Sequence, residues 1–289
     1  HLRQQKIEQA TGGASTDDTG GYGIRSGSML TISDNATITN ATGGSGWSGG
    51  HGIFGAAMKI ISSTIGTAKG GEGKTSGGNG IYGVGKLTIQ KATITNATGN
   101  KATGNGNGGS GIFSDGMLSI DSATITNATG GDADNGTGGS GIRGDGSNDK
   151  LSIYNATITN ATGGNGKSGG SGLFGKTMEI ISSAIKAIGG RATGEESYHT
   201  GGAGIAGSES LTIEGNTKVQ ATGGDADSGT GGSGIRSGSD SRSGSLSISG
   251  GTISTAGGSG KSGGAGIASS GTVSISDGKI EQATGGSGK

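Results

Sequence analysis

One phrase, Thr-Ile-Thr-Asn-Ala-Thr-Gly, stands at residues 37–43, 93–99, 124–130 and 157–163, inside a longer unit that fills the chain. The unit reads Gly-Ile, then Leu-x-Ile, then Ile-x-x-Ala-Thr-Gly-Gly, then a loop closing on Gly-Gly-x-Gly. Its Gly-Ile position recurs at Ile24, Ile53, Ile81, Ile112, Ile142, Leu173, Ile205, Ile235 and Ile267, in steps of 28 to 32 residues. Self-similarity at a fixed period is the mark of a repeat architecture, in which each unit buries its apolar face only against its neighbours.

The apolar runs alternate with period two over two to four residues, which is strand and not helix. Strands this short cannot make an independent sheet, but copies stacked one coil above another can. We therefore expect an all-β, single-chain parallel β-helix (a β-solenoid). It has about ten coils of ~30 residues and three short strands per coil, with ~4.8 Å between rungs. Residues 1–289 form one continuous domain in this reading. Coils begin near residues 24, 53, 81, 112, 142, 173, 205, 235 and 267, and residues 1–23 are a partial coil. The inward columns are the Gly-Ile position, Leu-x-Ile (Leu118 and Ile120, for example), and an Ile column running Ile7, Ile38, Ile65 and onward. The last is an Ala column read as Ala10, Ala41, Ala68, Ala97, Ala128, Ala161, Ile188, Ala221, Ala256 and Ala283.

Composition fits this economy. Of 289 residues, 73 are Gly and only 27% are hydrophobic, with no Pro and no Cys. A chain so poor in apolar residues would otherwise read as disordered. Here the few apolar residues are periodic and the formal net charge is zero. Gly-Gly pairs are expected to turn the corners through positive φ. Neutral charge argues against nucleic acid as a partner. No apolar run approaches the ~20 residues that span a bilayer. No signal peptide is legible at the start. The chain begins in mid-coil and stops at KIEQATGGSGK, and neither end reads as a polar cap. Two readings stay open: a segment of a longer repetitive chain, or copies stacking head-to-tail into an open filament.

The tail GGAGIASSGTVSISDGKIEQATGGSGK, with GGSGIRSGSDSRSGSLSISGGTISTAGG, resembles the glycine-rich repeats of bacterial extracellular proteins, many of them of Gram-positive type. These are similar to the pectate-lyase-like right-handed parallel β-helix, and some are carbohydrate-binding. The resemblance spans essentially the whole chain. It implies right-handed coils and an extracellular or cell-surface location, and it leaves activity open, because function resides in sites and not in folds.

Four sets of residues are candidates for something more specific. Asn40, Asn96, Asn127 and Asn160 precede the inward Ala. They read as a structural ladder of stacked amides that also makes the bend between Ile and Ala. The rival reading is glycosylation, since each lies in an Asn-x-Thr sequon, as does the loop residue Asn135. Thr pairs such as Thr93/Thr95 face outward and read as favoured strand residues or, less simply, as an ice-binding array. The position after Gly-Ile also points outward and holds Phe54, Tyr82, Phe113 and Phe174, flanked by arginines. It is a candidate for self-stacking, for lateral contact between rods, or for a sugar platform. Asp132/Asp134 and Asp225/Asp227 begin like calcium loops but lack the following Glu, so each pair offers part of a coordination shell, and calcium is the one cofactor the sequence admits. His1, His51 and His199 lie apart, and no catalytic constellation follows from them. Trp47 and Tyr198 are loop aromatics. The expectation is a non-enzymatic structural or adhesive surface protein whose partner is itself, with a polysaccharide as the alternative partner.

Overall fold

The computed structural model describes residues 1–146, 150–238 and 243–289. It is all-β, with every strand pairing parallel to its counterpart about 30 residues away, in a solenoid of about nine turns. Two long sheets run through it. The larger carries the Gly-Ile and Leu-x-Ile segments of successive coils, and the second carries the Ile-x-x-Ala segments. In four coils the first two segments fuse into one strand, as at Ile53–Ile61 and Ile205–Glu214. Elsewhere they stay separate, as at Ile81–Gly83 and Leu87–Gln90.

Alternation fixes which side chains turn inward. The Ile and Leu columns fill the interior: Ile60, Ile89, Ile120 and Ile153 stack in register and are 0% exposed. Parallel ladders buried on one face need such unbroken columns.

The Ala column departs from the sequence reading at two places. Ala187 and Thr255 occupy it, and Ile188 and Ala256 lie outside, partly exposed. From the first strand through Thr157–Thr162, three residue steps separate the inward Ile from the inward Ala, and one residue drops out of the pairing register. In the next three coils the spacing falls to two: Ile185 to Ala187, Val219 to Ala221, Ile253 to Thr255. The register shifts where this flat stretch begins, and again at Lys279–Thr284, where the longer spacing returns. The extra residue is in effect a β-bulge stacked coil upon coil, and its loss flattens the sheet.

The bend is therefore a bulge, and none of the four ladder asparagines has positive φ. Left-handed residues lie instead at the turn before the third strand, among them Asn35, Ser62, Lys91, Ser122 and Asn155.

The paired glycines also work differently from expectation. The described glycines with positive φ are Gly215, Gly238, Gly250 and Gly251, none of them in the Gly-Gly pairs after Ala-Thr. Those pairs are required by proximity. A Cβ on Gly130 would sit 1.9 Å from the carbonyl oxygen of Gly139, and one on Gly139 would sit 2.0 Å from that of Gly109. The backbones pack so closely that one column of peptide hydrogen bonds zigzags up the loop side. Gly21 N–H donates to Gly13, Gly44 to Gly21, Gly50 to Gly44, and so on without a break to Gly286 N–H on Gly264, each bond 2.7 to 2.9 Å long. Every member except Asn100 is glycine. The third side of the solenoid is thus closed by a glycine pillar, beside which only small side chains such as Ala102, Ala133, Ala192 and Ala226 are buried.

Candidate functional site

The outward column after Gly-Ile runs in register Arg25, Phe54, Tyr82, Phe113, Arg143, Phe174, Ala206. Tyr82 and Phe113 stack with centroids 5.1 Å apart at 8°, and Phe54 meets Tyr82 edge-on at 5.5 Å. Phe174 joins through a cation. The Arg143 guanidinium lies 5.4 Å from the Phe113 ring and 5.2 Å from the Phe174 ring, and it pairs with Asp145. Sequence reading missed two members, Tyr22 and His51. Tyr22 packs on Phe54 at 5.0 Å and beneath Arg25, and His51 meets Tyr82 at 4.7 Å. Both sit two residues before a Gly-Ile position, and that column was the available signal.

Mutual stacking engages ring faces that a sugar platform would need free, most plainly between Tyr82 and Phe113. Burial pushes the Tyr82 phenol up, and its hydrogen bond to the Asp115 carboxylate adds to this. His51 is held down to about 4 by burial, and its Nδ1 accepts the Asn79 N–H at 2.9 Å. Asn79 in turn accepts the Ser110 N–H at 2.6 Å. The stripe is thus a cross-linked support spanning several coils.

Three of the four asparagines come together. Asn127 Nδ2 donates to Asn96 Oδ1 at 3.0 Å, and Asn160 Nδ2 to Asn127 Oδ1 at 3.1 Å. Asn40 is exposed and pairs in register with Gln9 and Thr67, so it stands apart from them. Asn127 is the only one in both amide bonds. Replacing it by Ala should cost about 1–2 kcal/mol in denaturant unfolding, and replacing Asn40 should cost a few tenths at most.

The four aspartates are engaged within the chain. Asp132 Oδ1 accepts the Asn165 N–H and Asp225 Oδ1 the Ser259 N–H, each at 2.7 Å. Asp134 pairs with Lys101 at 2.8 Å, and Asp227 with Arg191. Among the described residues no three His, Cys, Asp or Glu side chains converge as metal ligands would. Ser168 Oγ and His199 Nδ1 come within 3.3 Å, a contact no spacing announced. Among the described residues no carboxylate hydrogen-bonds that imidazole. Trp47 is 52% and Tyr198 74% exposed.

A recess of about 420 Å³ lies on the outer face of the second sheet, over the three flat coils. Thr157 and Thr159 bound it on the last bulged strand before them, and Glu281 on the strand beyond. Lys186, Lys218 and Gln220 stand exposed within it. The loss of the bulge accounts for the depression: flanking rungs carry one more outward residue than those between.

No protein-family model, curated protein or solved structure matches this chain.

Proposed function

We propose that the chain is a structural, adhesive rod of an extracellular or cell-surface filament, assembled by coil-on-coil stacking. The observation that supports this is the shared register of the inward Leu-x-Ile columns of the larger sheet, from Leu30/Ile32 to Val273/Ile275. Successive rungs of that sheet present the same apolar positions to the next, so a matching coil is accepted wherever the ladder is open. Val273 and Ile275, in the last rung of the larger sheet, are each 48% exposed, whereas their counterparts Leu246 and Ile248 are 1% and 0% exposed. A further coil, from the same polypeptide or another copy, would bury both. The reading also accords with the resemblance to glycine-rich extracellular repeat proteins.

Light scattering across a concentration series, with negative-stain electron microscopy, tests the proposal. The expected result is rods that lengthen end-to-end with concentration, about 45 Å per copy at the rung spacing of parallel strands. Particles of constant length at every concentration would reject self-stacking.

A further inference from the structure

We propose that Asn105 and Asn135, at the tips of two adjoining loops, are sites of spontaneous deamidation, with water as the only co-reactant. The chain holds five Asn-Gly pairs, beginning at Asn79, Asn105, Asn107, Asn135 and Asn165. The chemistry favours this pair, because glycine has no Cβ to hinder the approach of its nitrogen to the preceding side chain. That nitrogen gives up its proton and attacks the Asn Cγ. The new C–N bond closes a succinimide ring, and the side-chain amide leaves as ammonia. Water then opens the ring at either carbonyl. The product is aspartate or, with the backbone rerouted through Cβ, isoaspartate. No oxidant or reductant takes part.

The fold locks three of the five pairs and leaves two open. In each locked pair the Asn side chain and the Gly nitrogen grip one residue of the next coil. Asn79 Oδ1 accepts the Ser110 N–H at 2.6 Å, and Gly80 N–H donates to the Ser110 carbonyl at 3.0 Å. Asn107 Oδ1 accepts the Thr137 N–H at 2.9 Å, and Gly108 N–H donates to the Thr137 carbonyl at 3.0 Å. Asn165 Oδ1 accepts the Arg191 N–H at 2.9 Å, and Gly166 N–H donates to the Arg191 carbonyl at 3.2 Å. Bringing the nitrogen onto Cγ breaks both bonds of such a clamp. Asn105 and Asn135 have no clamp. Among the described residues neither side-chain amide makes a hydrogen bond, and neither does the N–H of Gly106 or Gly136. Exposure does not separate the pairs, because Asn107 and Asn165 are exposed just as Asn105 and Asn135 are. The two open pairs lie on adjoining coils, where Ala102 bridges Ala133. Flanking positions are pinned, with Gly104 N–H on the Lys74 carbonyl at 2.8 Å and Asp134 N–H on that of Ala102 at 3.0 Å. Each conversion adds one carboxylate, so a formal net charge of zero becomes −2.

Incubation of the full chain at pH 8 tests this, followed by isoelectric focusing and by electron-transfer mass spectrometry of its peptides. Asn105 and Asn135 are expected to convert about tenfold faster than Asn79, Asn107 and Asn165, each of which must first give up two hydrogen bonds. Two acidic bands should appear in succession. Asn105→Gln with Asn135→Gln should abolish both bands, in a chain whose far-ultraviolet spectrum and melting curve match the parent. In urea the clamps are gone, and all five asparagines should convert at similar rates. Equal rates at all five sites in the folded chain overturn the proposal. Persistence of Asn105 and Asn135 in the folded chain also overturns it, whatever the unfolded chain does. Acidic bands that survive in the double variant would place the new charge elsewhere and reject the assignment. Filament growth is read separately by microscopy, so the two proposals stand or fall apart.

Discussion

Gly163→Ala is expected to cost about 3 kcal/mol or more, which would open the middle of the rod. The added Cβ would lie 1.9 Å from the Gly170 carbonyl oxygen, 2.4 Å from its carbon and 2.9 Å from the Gly190 nitrogen. All three atoms are backbone, so no side chain can rotate away. The Gly170 carbonyl also accepts the Gly190 N–H at 2.7 Å, one link of the glycine pillar. Making room for a methyl group means breaking that link or separating two coils. In a solenoid the damage enters through nearest-neighbour interfaces, so it should appear as hydrogen-exchange deprotection centred on the coils around Gly163. Two comparisons keep the result specific. Gly13→Ala adds a methyl group with nothing within 4 Å and should be close to neutral. Asn100 already carries a side chain within the pillar; its Nδ2 donates to the Gly70 carbonyl at 3.0 Å. Asn100→Gly should therefore change stability far less than Gly163→Ala. Equal melting temperatures for Gly163→Ala and the parent chain would refute the role assigned to the pillar.

The core of this fold is legible because inward side chains obey alternation, and alternation survives as spacing in the sequence. Ile38, Ile94, Ile125 and Ile158 could be placed from the phrase alone. The error at Ile188 and Ala256 has the same source. The three-step spacing of the phrase was extended to coils that had lost the bulge, although Ile185-Lys186-Ala187 already shows strict period two. Glycine roles were not legible. Whether a Gly serves positive φ or close approach depends on a second segment, and Gly130 meets Gly139 only after the loop has folded back. The recess is a further step removed, because it arises from the contrast between neighbouring coils and not from any motif within one. In the stripe, the column after Gly-Ile displayed Phe54, Tyr82 and Phe113, but His51 belongs to the adjoining column and its partner Asn79 to another coil.

That histidine makes the rod acid-sensitive. Burial among Tyr22, Phe54 and Tyr82 holds the folded His51 down to about 4, from an ordinary value of 6.5. At pH 7 the ring is neutral in both folded and unfolded chains. As pH falls through 6.5 the unfolded chain takes up a proton that the folded chain refuses until about 4, so protonation favours unfolding. Stability is fully present above 6.5, is lost progressively between 6.5 and 4, and falls no further from this group below 4. At about 1.4 kcal/mol per pH unit, the loss reaches about 2 kcal/mol by pH 5 and about 3 kcal/mol at its limit. A proton placed on Nδ1 would also end its acceptance of the Asn79 N–H, the bond that ties one coil of the stripe to the next. Replacing His51 by Gln removes the titration and keeps an acceptor for Asn79. Urea unfolding at pH 7, 6 and 5 should show the parent chain losing about 2 kcal/mol more than the His51→Gln chain across that window. Parallel losses in the two chains would mean that His51 takes its proton as readily when folded as when unfolded, and that the stripe does not exclude water from the ring.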